Sequence, residues 1–395
     1  MSKNIWIIND YAGTPYHGME FRHYYLAKEL IKLDCKVTII SSSYSHLFKN
    51  QPTQKREMIE GIEYIWLKTF NYGDSHNKKR VLKWFWFMFK LLSLPFRTKK
   101  PDVIIVSSIA PFSILPAWIL SKFYRAKLIF EVKDIWPLSL VEVGGFKSTH
   151  LFIKFMGWFE KFALKKSDFI VSNLENYGEH IKNLNIEREF SWISNGIDLD
   201  SVRDTKLLNK EIADKIPKDK FIVGYTGSIG IANALDSFLE SATLLKEKKE
   251  IVFVIVGKGN ERERLKKEFE SENIIFIDAI DKNQVPSMLE LFDICFLGWN
   301  KESLYRYGTS ANKIFDYMLS AKPIINAFSG AGDIIQKAQC GITVEANNET
   351  EIKEAILKLY SMSEEERNIL GKNAKEYVLK YFTYKELAKK YRELF

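Results

Sequence analysis

Strand-length apolar runs, most of them separated by helical patterns, recur along this chain and restrict the folds open to it. Within 395 residues a first series comprises Asn4–Asn9, Lys36–Ser41, Ile62–Leu67, Val103–Ser107, Lys127–Val132, Phe169–Ser172 and Phe190–Ile193. These runs are apolar nearly throughout instead of alternating, which predicts burial on both faces and a parallel sheet covered by helices. Leu199–Lys220 then turns polar and charged, contains Pro217, and reads as a linker without a strand pattern. A second series follows at Phe221–Thr226, Ile251–Val256, Ile274–Ile277, Ile294–Leu297, Pro323–Asn326 and Ile342–Val344. The expected fold is therefore α/β, with two Rossmann-like domains, residues 1–198 and 199–379, and a cleft between them. The tail from Glu364 is helical in pattern and breaks at Phe382-Thr383, where residues from about 380 onward are expected to cross back to the first domain. In such sheets ligands bind beyond the carboxyl ends of the strands, so the strand-end loops are where chemistry is sought.

Composition removes several classes. An apolar share of 46% is enough for two sizeable cores. Cys35, Cys295 and Cys340 have no paired or Cys-x-x-Cys spacing, so neither a disulfide framework nor a zinc site is expected, and a reducing cytoplasm suits them. The opening MSKNIWIIND reads as a first strand and not as a signal peptide. No apolar run reaches the roughly 18–20 residues of a spanning helix. His17, His23, His46, His76, His150 and His180 lack ligand spacing, and no P-loop or Gly-x-Ser-x-Gly elbow occurs. The formal net charge of +8 points toward phosphates, anionic lipid or nucleic acid.

Eight Lys or Arg and no acid lie between Lys78 and Lys100, around the aromatic run Trp84–Phe89. This suits a helix in a membrane interface, with Lys79, Arg80 and Lys83 on anionic headgroups and Trp84, Phe85, Trp86 and Phe87 at the acyl boundary. The alternative is a core helix with solvated ends. Leu151–Lys166 repeats the pattern, with Phe152, Phe155, Phe159 and Phe162 on one face. Nucleic acid is not an expected partner, because no recognition module appears.

Several strand-end turns carry candidate chemistry. Val256-Gly257-Lys258-Gly259-Asn260 and Thr226-Gly227-Ser228-Ile229-Gly230 are small-residue turns where backbone can approach a phosphate or a base. A full Gly-x-Gly-x-x-Gly fingerprint is missing, which counts against nicotinamide or flavin chemistry. Glu131-Val132-Lys133-Asp134 puts charge at a strand end, where packing seldom needs it. Gly308–Asn326 reads as a polar loop, an amphipathic helix and a strand, with Lys313 and Asp316 near the helix start. Asp198-x-Asp200 has a metal-binding spacing but reads as a turn entering the linker, and no metal is expected.

Taken in order, these stretches resemble a GT-B glycosyltransferase of family 4, in the branch similar to lipopolysaccharide N-acetylfucosamine transferases. The markers are Gly18-x-Glu20 with Leu26-Ala27-x-x-Leu30, Glu131-x-Lys133-Asp134-Ile-Trp-Pro137, Ile193-x-Asn195-Gly196-x-Asp198, Val256-Gly-Lys-Gly259 and Asn312-Lys313-x-x-Asp316 through Pro323. The resemblance implies metal-independent, retaining transfer from a nucleotide sugar, UDP-linked by expectation and without a further cofactor. The sugar is expected to be an N-acetylated hexosamine or deoxyhexosamine. The expected acceptor is a polyprenyl-linked saccharide of surface-polysaccharide assembly, met on the cytoplasmic face of the inner membrane. Glu20, Lys133 and Asp134 are the expected catalytic residues. Donor binding is expected from Gly18, Gly227, Ser228, Gly230, Gly257, Lys258, Gly259, Arg306, Ser310, Asn312, Lys313 and Asp316, with Asp316 on the ribose. Departures from the family pattern are also visible. Lys133 stands where a histidine is common, Ser228 and Ala232-Asn233 where an arginine and a lysine are usual, and Gly308 where the first of two glutamates would be. Lys313, Lys258 and Arg306 are the candidate replacements for the lost cations. A UDP-sugar 2-epimerase and a non-catalytic nucleotide-sugar-binding subunit are the rival readings.

Overall fold

The computed structural model describes residues 2–18, 20–73, 77–108 and 111–395, so His76 lies outside the described residues. The chain divides into two compact units. The first holds Met1–Asn195, Tyr307–Ser310 and Tyr384–Phe395, and the second holds Gly196–Arg306 and Ala311–Thr383.

The first unit opens with β1 (Lys3–Ile8), α1 (Arg22–Lys32), β2 (Cys35–Ser42), β3 (Arg56–Ile59), β4 (Ile62–Leu67) and α2 (Lys79–Leu91). It continues with β5 (Val103–Ser107), α3 (Ile114–Tyr124), β6 (Lys127–Val132), α4 (Leu138–Glu142), α5 (Leu151–Lys166), β7 (Phe169–Ser172), α6 (Tyr177–Asn183) and β8 (Ser191–Trp192). Its sheet has the order β3-β4-β2-β1-β5-β6-β7-β8, parallel except for the β3–β4 pair. The chain winds left from β1 and right from β5, so the carboxyl ends of these two neighbours form the topological switch point. Every residue of β5 is buried, as two helix layers require of an apolar strand.

The second unit contains α7 (Leu199–Arg203), α8 (Lys210–Ala213), β9 (Phe221–Thr226), α9 (Leu235–Leu244), β10 (Ile251–Val256), α10 (Arg262–Glu268), β11 (Ile274–Ile277) and α11 (Val285–Glu290). Then come β12 (Ile294–Gly298), α12 (Asn312–Leu319), β13 (Ile324–Ala327), α13 (Ile334–Ala338), β14 (Gly341–Val344), α14 (Glu349–Ser361) and α15 (Glu364–Tyr381). Its sheet is wholly parallel, in the order β11-β10-β9-β12-β13-β14, with the switch point between β9 and β12.

The helix break at Phe382-Thr383 is present, and the last helix, α16 (Tyr384–Glu393), rejoins the first unit. It packs on α1, with Tyr384 and Tyr25 ring centroids 5.3 Å apart.

The stretch Leu199–Lys220 holds no strand, in keeping with its pattern, but two short helices, α7 and α8, form within it, and Asp200 sits in the first turn of α7, paired with Arg203 at 3.2 Å. Two other points differ from expectation. β3 was not expected, because a four-residue edge strand with Arg56 and Glu57 shows no apolar run. The helix expected to lie in a bilayer turns its centre inward: Lys83, Trp84 and Phe87 are buried. Lys83 pairs with the buried Asp10 at 2.8 Å, and the Trp84 indole N–H donates to the Tyr11 hydroxyl at 2.8 Å. Phe85 stacks on Phe112 with centroids 4.3 Å apart. Lys79 and Trp86 remain exposed, and Arg80 is half-buried.

Candidate active site

In the second unit, the strand-end turns are fastened to one another by their glycines. A Cβ on Gly257 would lie 1.9 Å from the Gly227 carbonyl oxygen, and one on Gly259 would lie 1.9 Å from that of Ile229. The Ile229 N–H donates to the Lys258 carbonyl at 2.9 Å. The glycine spacing thus serves contact between the β9 and β10 turns, and that contact fixes the rim of the crevice at the switch point. Gly227 adopts φ +147 and Gly257 φ +155, a region that side chains disfavour.

Lys313 reaches this rim from the first turn of α12. Its ammonium donates to the Tyr225 hydroxyl at 2.6 Å and to Asn233 Oδ1 at 2.5 Å, and lies 4.4 Å from the centroid of the Tyr225 ring. The Tyr225 hydroxyl donates onward to the Ser228 carbonyl at 2.5 Å, and Asn233 Nδ2 donates to the same oxygen at 3.0 Å. A Cβ on Gly227 would meet the Lys313 Nζ at 3.1 Å, so this glycine leaves room for the ammonium. Among the described residues no carboxylate pairs with Lys313, and burial pushes its pKa down to about 7. The helix it opens has Ala311 at its N-cap and therefore no side chain capping its first N–H groups. A cation without a paired carboxylate, beside an uncapped helix start, suits negative charge.

The remaining donor candidates divide around this centre. Asp316, one turn along α12, is not with Lys313 but pairs with Lys282 at 2.5 Å. It also edges a cavity of about 630 Å³ lined by Leu199, Val285, Leu289 and Leu319. Lys258, Ser228 and Asn312 are exposed at the turns, and Gly230 faces Asn260. Arg306 instead donates to the Ser303 carbonyl at 2.5 Å within its own turn. Ser310 accepts from the Asn195 N–H at 3.1 Å and lies 3.1 Å from the Ser194 hydroxyl, inside the first unit. Gly18, φ +113, is held there too, because a Cβ would stand 2.8 Å from the backbone of Leu47 and Lys49. Gly308, also with positive φ, occupies a backbone position that suits glycine.

In the first unit the loops after β1 and β6 bring Glu20 and Lys133 into an ion pair. Glu20 has φ +71, a strained conformation for a residue with a side chain and one that clusters at functional sites. The Lys133 N–H donates to the Ser108 hydroxyl at 3.1 Å. Asp134 reaches solvent. Crowding by protein atoms raises its carboxyl pKa, an effect that Lys133 opposes and Glu20 reinforces.

Behind these groups lies a buried network that sequence spacing does not mark. Asn9 Oδ1 accepts from the Tyr11 N–H at 3.0 Å, so its amide nitrogen donates to His23 Nδ1 at 3.0 Å. His23 Nε2 then carries the proton and donates to Glu131 Oε2 at 2.6 Å. Glu131 Oε1 accepts from Arg22 Nε at 2.9 Å and from the Tyr391 hydroxyl at 2.5 Å. Burial alone would raise the Glu131 carboxyl, but His23 and Arg22 outweigh it and hold it well below the usual range. Arg22 also donates to the carbonyls of Ile193 and Ser194 at 2.8 and 2.5 Å. Glu131 is therefore an anchor for the Lys133 loop, ionised and fully engaged.

Comparison with known proteins adds the family. A model described as Glycosyltransferase Family 4 matches residues 16–201, and one described as Glycosyl transferases group 1 matches residues 209–377. An uncharacterized glycosyltransferase of Methanocaldococcus jannaschii is 26% identical over 328 residues, covering 79% of this chain and 78% of that protein. The fold is similar to that of sucrose-phosphate synthase from Thermosynechococcus elongatus, with TM-score 0.76, 14% identity, and coverage of 99% and 98% of the two chains. It is also similar to HepE of Anabaena, solved with UDP-glucose, with TM-score 0.67, 12% identity and the same coverage.

Proposed function

From membership of the GT-B glycosyltransferases of family 4, to which this chain belongs, we propose that it transfers a sugar from a UDP-sugar to a polyprenyl-linked saccharide. The sugar is an N-acetylated hexosamine or deoxyhexosamine, as in the N-acetylfucosamine transferase branch. The product is an intermediate of surface-polysaccharide assembly on the cytoplasmic face of the inner membrane. The observation that carries this reading is the Lys313 ammonium, held by Tyr225 and Asn233 beside the Gly227 turn with no carboxylate among the described residues to neutralise it.

The chemistry follows from where charge develops. Breaking the bond between the sugar and the diphosphate leaves negative charge on phosphate oxygens and an oxocarbenium-like ring, and fixed donors near those oxygens lower the barrier. Lys313 and the open start of α12 supply such donors without a metal, and the reading is of a metal-independent, retaining transfer. The absent arginine and lysine after β9 are replaced in space by a lysine from another element. Asp316, steered by Lys282, takes the ribose hydroxyls. The Asp134 carboxyl, with its raised proton affinity, suits removal of the acceptor hydroxyl proton, and the Glu20–Lys133 pair orients that loop. The UDP-glucose bound by HepE supports a uridine nucleotide.

Saturation-transfer NMR with UDP, GDP and their sugars tests the reading. UDP and UDP-N-acetylhexosamines are expected to receive saturation, with transfer confined to the nucleotide and the sugar ring. No nucleotide contact at all would contradict it.

A further inference from the structure

Helices α2, α3 and α5 form one layer in the first unit, and the residues joining them are aromatic. Phe85 of α2 lies 6.1 Å from Phe155 of α5, and Trp118 of α3 lies 5.4 Å from Phe162 of α5 by ring centroids. With that layer closed on its inner side, each helix still carries an outward apolar stripe at helical spacing. On α2 it is Leu82, Trp86 and Phe89, exposed by 61%, 45% and 62%. On α3 it is Ile119 and Phe123, at 44% and 71%, and on α5 it is Leu151 and Trp158, at 83% and 53%. Solitary exposed apolar side chains need no explanation, but three stripes on adjoining helices make a patch that does.

Charge identifies what covers it. The three helices contain one acid, Glu160, and it is buried and hydrogen-bonded to His180 at 2.7 Å. Their remaining charges outside the core are basic: Lys79, Arg80 and Lys90 on α2, Lys122 on α3, and Lys154, Lys161, Lys165 and Lys166 on α5. Apolar stripes edged by lysines and free of exposed acid fit an interfacial helix on an anionic bilayer. No helix among the described residues is long and apolar enough to cross a membrane.

We infer that the outward face of α2, α3 and α5 is the surface by which this protein docks on an anionic lipid bilayer. The assignment deepens the lipid-linked acceptor reading but stands on its own observation. Its contacts differ from those expected of the Trp84–Phe87 run: Phe87 is buried, and Lys83 and Trp84 tie α2 to Asp10 and Tyr11 beyond β1. Through that tie, the docked helix holds the loop at the carboxyl end of the central strand.

Flotation of the full chain with phosphatidylcholine vesicles, with and without phosphatidylglycerol, tests the assignment. The wild type is expected to float with the anionic vesicles only. The Lys90→Glu, Lys122→Glu, Lys161→Glu chain is expected to lose binding by about 100-fold, roughly fivefold or more for each lysine removed. The Phe89→Ser, Phe123→Ser, Trp158→Ser chain should lose it as well, with nucleotide contact by NMR unchanged in both. Failure of the wild type to float, or equal flotation of the variants, would overturn the inference. So would sedimentation showing a wild-type dimer that the serine variant converts to a monomer without any lipid binding. Vesicle binding without nucleotide contact would leave this surface standing and sink the transferase reading instead.

Discussion

Lys313 sets the electrostatics of the turns at the edge of the second sheet, because burial penalises its charge and no carboxylate among the described residues pairs with it. An ordinary lysine holds its proton to about pH 10.5, whereas burial brings this one to about 7. Between those values the unfolded chain binds more protons than the folded one, so stability without nucleotide rises with pH. Urea denaturation at pH 7 and pH 9 should show a gain of about 2 kcal/mol in the second unit relative to the Lys313→Met chain. Identical pH dependence in the two chains would mean the ammonium is not held as described. Sequence showed only part of this site. The position of Lys313 at a helix start was legible from the pattern of Gly308–Asn326. Its partners were not, since Tyr225 and Asn233 lie 88 and 80 positions away along the chain. Gly257 and Gly259 were legible as a close approach of backbone, but the approaching group is another loop.

Among elements, α16 has an influence out of proportion to its ten residues. Tyr391 crosses 260 positions to donate to Glu131, which sits two residues before Lys133 on the same strand end. Removing the hydroxyl leaves a buried carboxylate short of one donor. Tyr391→Phe should lower stability by about 1–3 kcal/mol, read by chemical denaturation. Stability that depends on ionised Glu131 is present above the ordinary carboxylate range and lost as pH falls through the depressed value, so the acid limb of the Tyr391→Phe profile should begin at higher pH. Unchanged denaturation and an unchanged acid limb would count against the network. α2 shows the limit of pattern reading at this scale. Its one-signed flanks and nearly continuous aromatics suggest an interfacial helix, yet Lys83, just ahead of the aromatics, serves a buried aspartate. The apolar moment of a helix marks a buried face but does not tell lipid from protein.

At the scale of the molecule, the two parallel sheets were the most legible feature, because strands buried on both faces must be apolar throughout. Edge and connecting pieces were the least legible. β3 has exposed Arg56 and half-buried Glu57, and α7 and α8 are too short for a hydrophobic period to register. Each unit has its own switch point, and each switch point carries one set of charged groups: Lys313 with its neutral partners in one, and Glu20, Lys133 and Asp134 in the other. In the proposed transfer the diphosphate of the donor rests on Lys313. Calorimetric titration of UDP into the wild-type and Lys313→Met chains tests it most directly. Affinity for UDP is expected to fall by about 30-fold or more, as for loss of a buried charge pair, while affinity for uridine stays the same. Equal UDP affinity in the two chains would contradict it.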